Sequence, residues 1–166
     1  MKKLLLSSLL LTQSLFCSET PRYRFSGQQA VDHLAETSEC HHCDLSFQDL
    51  RAAIATARRN NPKKSINLSD SRLSFSFLEA ADLSQANLTR AFLAGARLSQ
   101  AKLSSANLTE ADLFKADLTL ANLEYARLFQ AILYEANLTD ANFTKATVSK
   151  NLHKYLSDRQ LASLEK

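Results

Sequence analysis

Cys40-His41-His42-Cys43 is the stretch whose residue types most invite reactive chemistry. Thiols and imidazoles bind zinc, but four adjacent residues cannot all reach one tetrahedral ion, and the third cysteine of the chain, Cys17, supplies no second pair. Asp44 rather than His follows Cys43, so this is no haem attachment motif. In an oxidising compartment a disulfide between Cys40 and Cys43 is chemically open. A structural or disulfide role, free thiols and a metal site remain as alternatives, in that order. His33 and His153 stand apart and read as surface residues. The sequence carries no nucleophile signature, no Gly-rich phosphate loop and no convincing catalytic pair. The expectation is therefore a non-enzyme with no catalytic residues, no cofactor and no metal.

Those residues sit in a chain of 166 residues, 45% apolar and 22% charged, with two Gly, two Pro and no Trp. This suits one domain with a continuous core and is too apolar for a disordered chain. Formal charge is +3, and Lys2 and Lys3 contribute two of those charges. Without them the chain is close to neutral, which gives it no general electrostatic attraction to nucleic acid.

Lys2 and Lys3 precede a mostly apolar, uncharged run from Leu4 to Phe16. That run is too short for a stable transmembrane helix but fits the core of a signal peptide. Residues 1–18 are accordingly expected to be a signal peptide, placing the protein in the periplasm or outside the cell. Cleavage by ordinary signal peptidase after Cys17 or Ser18 is favoured over lipid anchoring at Cys17, because Phe16 stands where a lipoprotein site needs a small residue. No later segment has the length and apolarity of a membrane span.

From Ile66 to Lys150 the chain divides into 17 consecutive blocks of five without a slip. The central residue is Leu at every block from Leu68 to Leu138, including Leu88, Leu93, Leu98, Leu103, Leu108, Leu113, Leu118 and Leu123, then Phe143 and Val148. Two positions earlier stand Ile66, Ser71 and Ser76, followed by Ala in every block from Ala81 to Ala146. On an α-helix, residues five apart rotate by about 140° and would spiral round the rod. On a flat strand they would alternate faces. A short extended segment with a bend every fifth residue turns every Leu, and the small residue before it, toward one axis. Burying one Leu gains roughly 1.5–3 kcal/mol, whereas ordering five backbone residues costs roughly 5–10 kcal/mol. The coils must therefore stack, with backbone hydrogen bonds between layers about 4.8 Å apart. Ala at the second inward position keeps a narrow core from overfilling. Outward positions such as Asn122 should tolerate replacement by Ser.

The period alone leaves the number of blocks per coil open. At a spacing of 20, Asp70/Arg90, Asp82/Lys102, Arg90/Glu110, Arg97/Asp117 and Lys115/Glu135 are all opposite in sign, but a spacing of 15 scores equally well. Blocks such as Ala86-Asn87-Leu88-Thr89-Arg90 and Ala111-Asp112-Leu113-Phe114-Lys115 resemble the A(D/N)LxX motif of pentapeptide-repeat proteins, over about half of the chain. The resemblance implies an all-β solenoid: a right-handed quadrilateral β-helix of four blocks per coil, with short α-helical caps at both ends. Relatives commonly begin their first coil with C-x-x-C-D-L, which favours a structural role for Cys40 and Cys43. Some relatives dimerise through a C-terminal helix, so a homodimer is an expectation by analogy alone.

The flanks should close the ends of the stack. Residues 19–65 read as an N-terminal cap: a helix over Ser26 to Thr37, a first repeat block at Cys43-Asp44-Leu45-Ser46-Phe47, and a helical insertion over 47–61 with Ser46 and Asp49 as its capping box. Residues 151–166 read as one amphipathic capping helix, with Ser157 and Gln160 as a second capping box.

With four blocks per coil, Phe92, Phe114, Ile132 and Tyr134 share one outer face, Phe129 lies just round a corner from it, and Phe75 sits on the first layer. Exposed apolar clusters often mark contact sites, so Phe92, Phe114, Phe129, Ile132 and Tyr134 form the candidate binding surface. The competing reading is that a cap or the 47–61 insertion folds over them. The leading functional expectation is a rigid protein-interaction or structural module of the bacterial envelope, with a protein partner and no nucleic-acid partner. The alternative, made available by the resemblance, is a cytosolic gyrase-binding DNA mimic of the quinolone-resistance type. Against it, the repeat region is almost electrically balanced rather than acidic.

Overall fold

The computed structural model describes residues 25–164. Residues 1–18, with Cys17 and the expected signal peptide, lie outside the described residues. The hydrogen bonds of one block explain why five residues make a unit. In Ala106–Glu110, the Ala106 N–H donates to the carbonyl of Leu103 behind it, at 3.0 Å, closing a four-residue turn. The third residue of that turn, Ser105, has φ of 58°, which makes it a type II turn. The Asn107 N–H bonds the preceding coil at Ala86, and the Leu108 and Glu110 N–H groups bond the next coil at Arg127 and Phe129. The remaining donor, Thr109 N–H, points at the corner and is taken by Asn107 Oδ1 at 3.2 Å. Every N–H of the block thus has an acceptor. This accounts for the motif: the Asn or Asp before the central Leu accepts the corner N–H, as Asp82, Asn87, Asp112, Asp117, Asn122, Asn137 and Asn142 also do.

The ladders pair residues 20 apart, as in Asn67↔Asn87↔Asn107 and Arg72↔Phe92↔Asp112↔Ile132. Four blocks therefore complete one coil of a β-helix type solenoid, which decides between the two spacings that the charges left open. Leu68 to Leu133 and Ala81 to Ala131 line a continuous buried column, and Ile66, Ser71 and Ser76 occupy the same inward position as the alanines. Of the charge pairs, Asp70–Arg90 closes to 2.6 Å and Lys115–Glu135 to 3.3 Å. Arg97 instead pairs with Glu79, and Asp82 with Arg58.

The solenoid starts earlier than Ile66. Glu39 pairs with Asn67, Asp44 with Arg72 and Asp49 with Phe77, so 38–50 is already coil, three blocks long. This corrects the expected insertion over 47–61. Phe47 takes a corner with φ of 61°, and Leu50 is buried in the core. The helix, α2, is only Arg51–Asn60 and replaces the fourth side of the first coil. The capping box at Ser46 and Asp49 does not form: Leu50 is the N-cap, Ser46 Oγ is buried without a partner, and Asp49 accepts the Arg51 N–H. Leu45 and Leu50 fit a period of five as well as Phe47 and Leu50 fit a helix, and the ladder of the next coil tips the balance.

Before the first coil, β1 (Phe25–Ser26) pairs in parallel with β2 (Cys43–Asp44), and α1 (Gly27–Thr37) buries Ala30 and Leu34 against the core. After β3 (Arg127–Leu128) and its partner β4 (Thr147–Val148), the expected single C-terminal helix is two pieces, a correction. A 3-10 helix, Lys150–Tyr155, buries Leu152, and α3, Asp158–Leu164, follows an extended break at Leu156. At that break Ser157 and Gln160 form the capping box, with Ser157 N–H to Gln160 Oε1 at 2.9 Å and Gln160 N–H to Ser157 Oγ at 3.4 Å. Gln160 Nε2 donates to the carbonyls of Leu138, which also takes the Ala141 N–H of its own turn, and of Ala141, which no further coil covers. Among the described residues no helix is long and apolar enough to cross a membrane.

Asn122 corrects the expectation of tolerance: it accepts from Glu124 N–H and from Asn142 Nδ2, and donates to Ser104 Oγ. In urea unfolding, Leu113→Ala is expected to lose about 2–5 kcal/mol and Asn122→Ser about 0.5–1.5 kcal/mol, while Ala116→Leu destabilises by overpacking. Equal small losses at all three positions would contradict the inward and outward assignment.

Candidate functional surface and the cysteine corner

The ladder Phe92↔Asp112↔Ile132 places Phe92 and Ile132 on one column, two layers apart, with Asp112 between. Two residues further on, in the neighbouring column, the rings of Phe114 and Tyr134 stack with centroids 5.9 Å apart and planes 11° from parallel. Lys115 Nζ lies 4.9 Å from the Phe114 centroid and pairs with Glu135, so a cation and an ion pair flank the stack. Such a stack contributes about 0.5–1.5 kcal/mol beyond burial. Phe129 sits round the adjacent corner. Phe92, Phe129, Ile132 and Tyr134 are about half exposed, at 47%, 52%, 50% and 53%, whereas Phe114 is partly buried under its stack. Neither α2 nor the C-terminal segment buries the four exposed members. The face is open.

Phe92 and Ile132 stand where the motif places Asn or Asp, a position that Arg72, Phe77, Arg97, Lys102 and Arg127 also fill otherwise. The corner N–H groups of Ala94 and Tyr134 therefore have no side-chain acceptor among the described residues. These two side chains weaken their corners, so turn chemistry does not explain them.

A second aromatic pair escaped the sequence reading. Phe47 and Phe75 stack at 5.2 Å on the same edge of the rod, two layers lower. Phe47 was hidden because its spacing from Phe75 includes the α2 detour. Above them Gly95 has φ of 67°, and a Cβ there would lie 2.5 Å from Phe75 Cε1. The Phe75 ring occupies that space, which is why this corner alone in the repeat carries glycine. Tyr125, with Lys145 Nζ 5.4 Å from its ring centroid, and Leu120 are exposed on other faces.

Cys40 and Cys43 are joined by a disulfide, with Cα atoms 5.4 Å apart and both residues buried. Since Glu39 aligns with Asn67, Cys40 occupies a central Leu position and Cys43 the small-residue position of the next block. The three-residue spacing is the distance across one corner. At this corner the usual turn bond is missing: Cys43 N–H donates instead to Ser71 Oγ at 3.2 Å, and Ser71 Oγ donates to the Cys40 carbonyl. Ser71 thereby explains one of the departures from Ala in the early blocks, a role that no sequence pattern marked. His41 and His42 are exposed, with ring centroids 5.8 Å apart. Among the described residues no group of three or more His, Cys, Asp or Glu is arranged to hold a metal ion.

Near this corner Arg90 grips Asp70 with Nε to Oδ1 at 2.6 Å and Nη2 to Oδ2 at 3.0 Å. The guanidinium, first by hydrogen bonding and then by its charge, holds the Asp70 carboxyl below the usual carboxylate range. A depressed folded-state value contributes stability above the unfolded pKa, near 4, and that contribution disappears as pH falls through the folded value.

A family model described as pentapeptide repeats matches eight copies spanning residues 66–150, half of the chain. Among solved structures, the chain is similar to the pentapeptide-repeat protein Rfr23 of the cyanobacterium Cyanothece 51142, at 27% identity and a TM-score of 0.52, over 75% of this chain and 96% of that one. It is similar to HetL of Nostoc sp. strain PCC 7120, a pentapeptide-repeat protein involved in heterocyst differentiation regulation, at 28% identity and 0.54, over 73% of this chain and 50% of HetL. For alr5209 of Nostoc PCC 7120 the values are 30% and 0.55, over 63% and 84%. No curated protein matches the sequence.

For the electrostatics of the rod, Arg90→Ala is expected to return the Asp70 pKa toward the ordinary carboxylate value in an NMR titration of the side chain. An unchanged Asp70 titration would show that the grip of Arg90 is not its cause.

Proposed function

Because the chain belongs to the pentapeptide-repeat family, we propose that it serves as a non-enzymatic, rigid protein-interaction module exported to the bacterial envelope. In this reading the solenoid is a right-handed quadrilateral β-helix capped by α1 and α3, and the partner docks on Phe92, Phe114, Phe129, Ile132 and Tyr134. The observation that carries the reading is the open aromatic face: Phe92 and Ile132 replace the Asn or Asp that would complete their corners, and they do so beside the Phe114–Tyr134 stack. Side chains that weaken local structure while exposing apolar surface fit selection for contact. A solenoid whose corners are fixed layer by layer presents such a face with little ordering cost on binding. Two observations favour export: the signal-like residues 1–18 and the disulfide between Cys40 and Cys43, a bond that persists in oxidising compartments.

Cell fractionation with intact-mass measurement tests the location. The expected species is envelope or secreted protein that lacks the N-terminal segment and carries no free thiol at Cys40 or Cys43. Cytosolic protein of full mass with free thiols overturns the export reading. The double variant Phe114→Ser/Tyr134→Ser should weaken capture of an envelope partner while the circular dichroism of the rod stays unchanged. Undiminished capture removes the aromatic face as the docking surface.

A further inference from the structure

The cysteine corner and α1 meet in one buried cluster. Cys40 Sγ lies 3.4 Å from the Ala30 carbonyl of α1, and Ala30, Leu34, Cys40 and Cys43 are all essentially without exposed surface. Both ends of α1 are tied to the same corner. Its N-terminal residue, Gly27, follows β1, whose Phe25 and Ser26 pair with Cys43 and Asp44. Its C-cap, Ser38, stands two residues before Cys40. On the opposite side of the corner, Ser71 Oγ links the Cys43 N–H to the Cys40 carbonyl and holds the two blocks against the second coil.

We propose that the Cys40–Cys43 disulfide is an oxidation-set latch for α1: the oxidised pair seats the helix on the end of the solenoid, and reduction releases it. A dithiol reductant would deliver two electrons and two protons, the S–S bond would break, two protein thiols would form, and the reductant would leave as its cyclic disulfide. The two sulfurs must then separate to van der Waals distance at residues that are wholly enclosed by their neighbours. Ser71 and the second coil back one side, so the yielding side is α1, through Ala30. Movement of Cys43 also disturbs its pairing with Phe25 and loosens the entry to the helix. A reductant reaches the buried bond only when α1 lifts, and at equilibrium the free energy by which the disulfide favours seating equals the free energy by which seating favours the disulfide. The latch rests on the export reading only for its timing, since a chain kept reduced during synthesis would set it on reaching an oxidising compartment.

The test uses the isolated full-length protein, so it can fail while the envelope interaction stands, and the reverse. Hydrogen exchange with mass spectrometry compares the oxidised protein with the same protein reduced by dithiothreitol. Amides of 27–37 are expected to exchange about tenfold faster or more after reduction, while amides of 86–126 keep their protection. Equal protection of 27–37 in both states overturns the latch. So does loss of protection along the whole rod, which would make the disulfide a support of the fold and not of α1. In the second arm, Leu34→Ser is expected to speed reduction of the disulfide by about tenfold or more, and an unchanged rate overturns the coupling. The wild-type comparison needs no variant and decides the matter if Leu34→Ser does not fold.

Discussion

A backbone turned to positive φ at every fifth residue is the constraint on which the solenoid depends. Of the sixteen successive corners from Asp70 to Lys145, all have φ between 55° and 67°, and only Gly95 is glycine. For residues with a Cβ this region costs roughly 1 kcal/mol or more each. No isolated block could hold it, because a single buried Leu barely offsets the ordering of its own backbone. The conformation persists because the corners are specified several times over: by the turn bond behind, by the N–H of the corner residue reaching the next coil where one follows, and, at nine of the sixteen, by the Asn or Asp that takes the remaining donor. Corner geometry and stacking therefore stand or fall together.

That mutual dependence explains the division of labour among the five positions. The central Leu and the Ala before it are fixed by the width of the core. At the Asn or Asp position the side chain takes a corner donor, and two of the stacked Asn pairs also bond along the rod, Asn87 to Asn67 and Asn142 to Asn122, while Asn107 donates to Thr89 Oγ1. The two remaining positions have only to tolerate the turn. Variation at these outer positions, such as Phe114, Tyr134, Lys115 and Glu135, leaves the fold intact and can be spent on contact with other molecules. Phe92 and Ile132 occupy the position that elsewhere takes the corner N–H, as do Arg72, Phe77, Arg97, Lys102 and Arg127, and they place exposed apolar surface there.

The inward residues, the block length and the stacked architecture were legible in the sequence, since each follows from a period that neither helix nor strand can satisfy. The aromatic face was legible once four blocks per coil were assumed, because layer neighbours are then 20 residues apart. Blocks per coil were not, because the charges of Asp70, Arg90, Glu110 and their neighbours fit two spacings. The first coil was misread at Phe47 and Leu50, where two periods overlap for a few residues and only pairing with a later coil separates them. The C-terminal segment was misread for the same reason: Leu152 and Leu156 fit a continuous helix, yet the Ser157–Gln160 box starts a new one. Ser71 was invisible, since a Ser in place of Ala carries no mark of the hydrogen bond it replaces.

The two ends of the rod meet the open-stack problem with different chemistry, and the difference follows from direction. A coil at the C-terminal end leaves carbonyls and N–H groups that expect another layer: Gln160 Nε2 covers the Ala141 carbonyl, and the Lys145 N–H finds the Ser163 carbonyl. At the N-terminal end the first coil lacks its fourth block, so hydrogen bonding alone cannot restore the ring. There α2 fills the missing side: Arg58 reaches the backbone carbonyls of Asp82 and Ser84, and Ser38 Oγ bonds the Ala57 carbonyl. The helix α1 buries Ala30 and Leu34 in the same core, and its last carbonyls are taken by Asn60, Asn61 and Lys64. Two helices rest here on an incomplete ring of three blocks. The Cys40–Cys43 link spans the first corner of that ring, where two cysteines stand at the inward positions that Leu and Ala fill in later blocks and Ser71 takes the place of the usual turn bond.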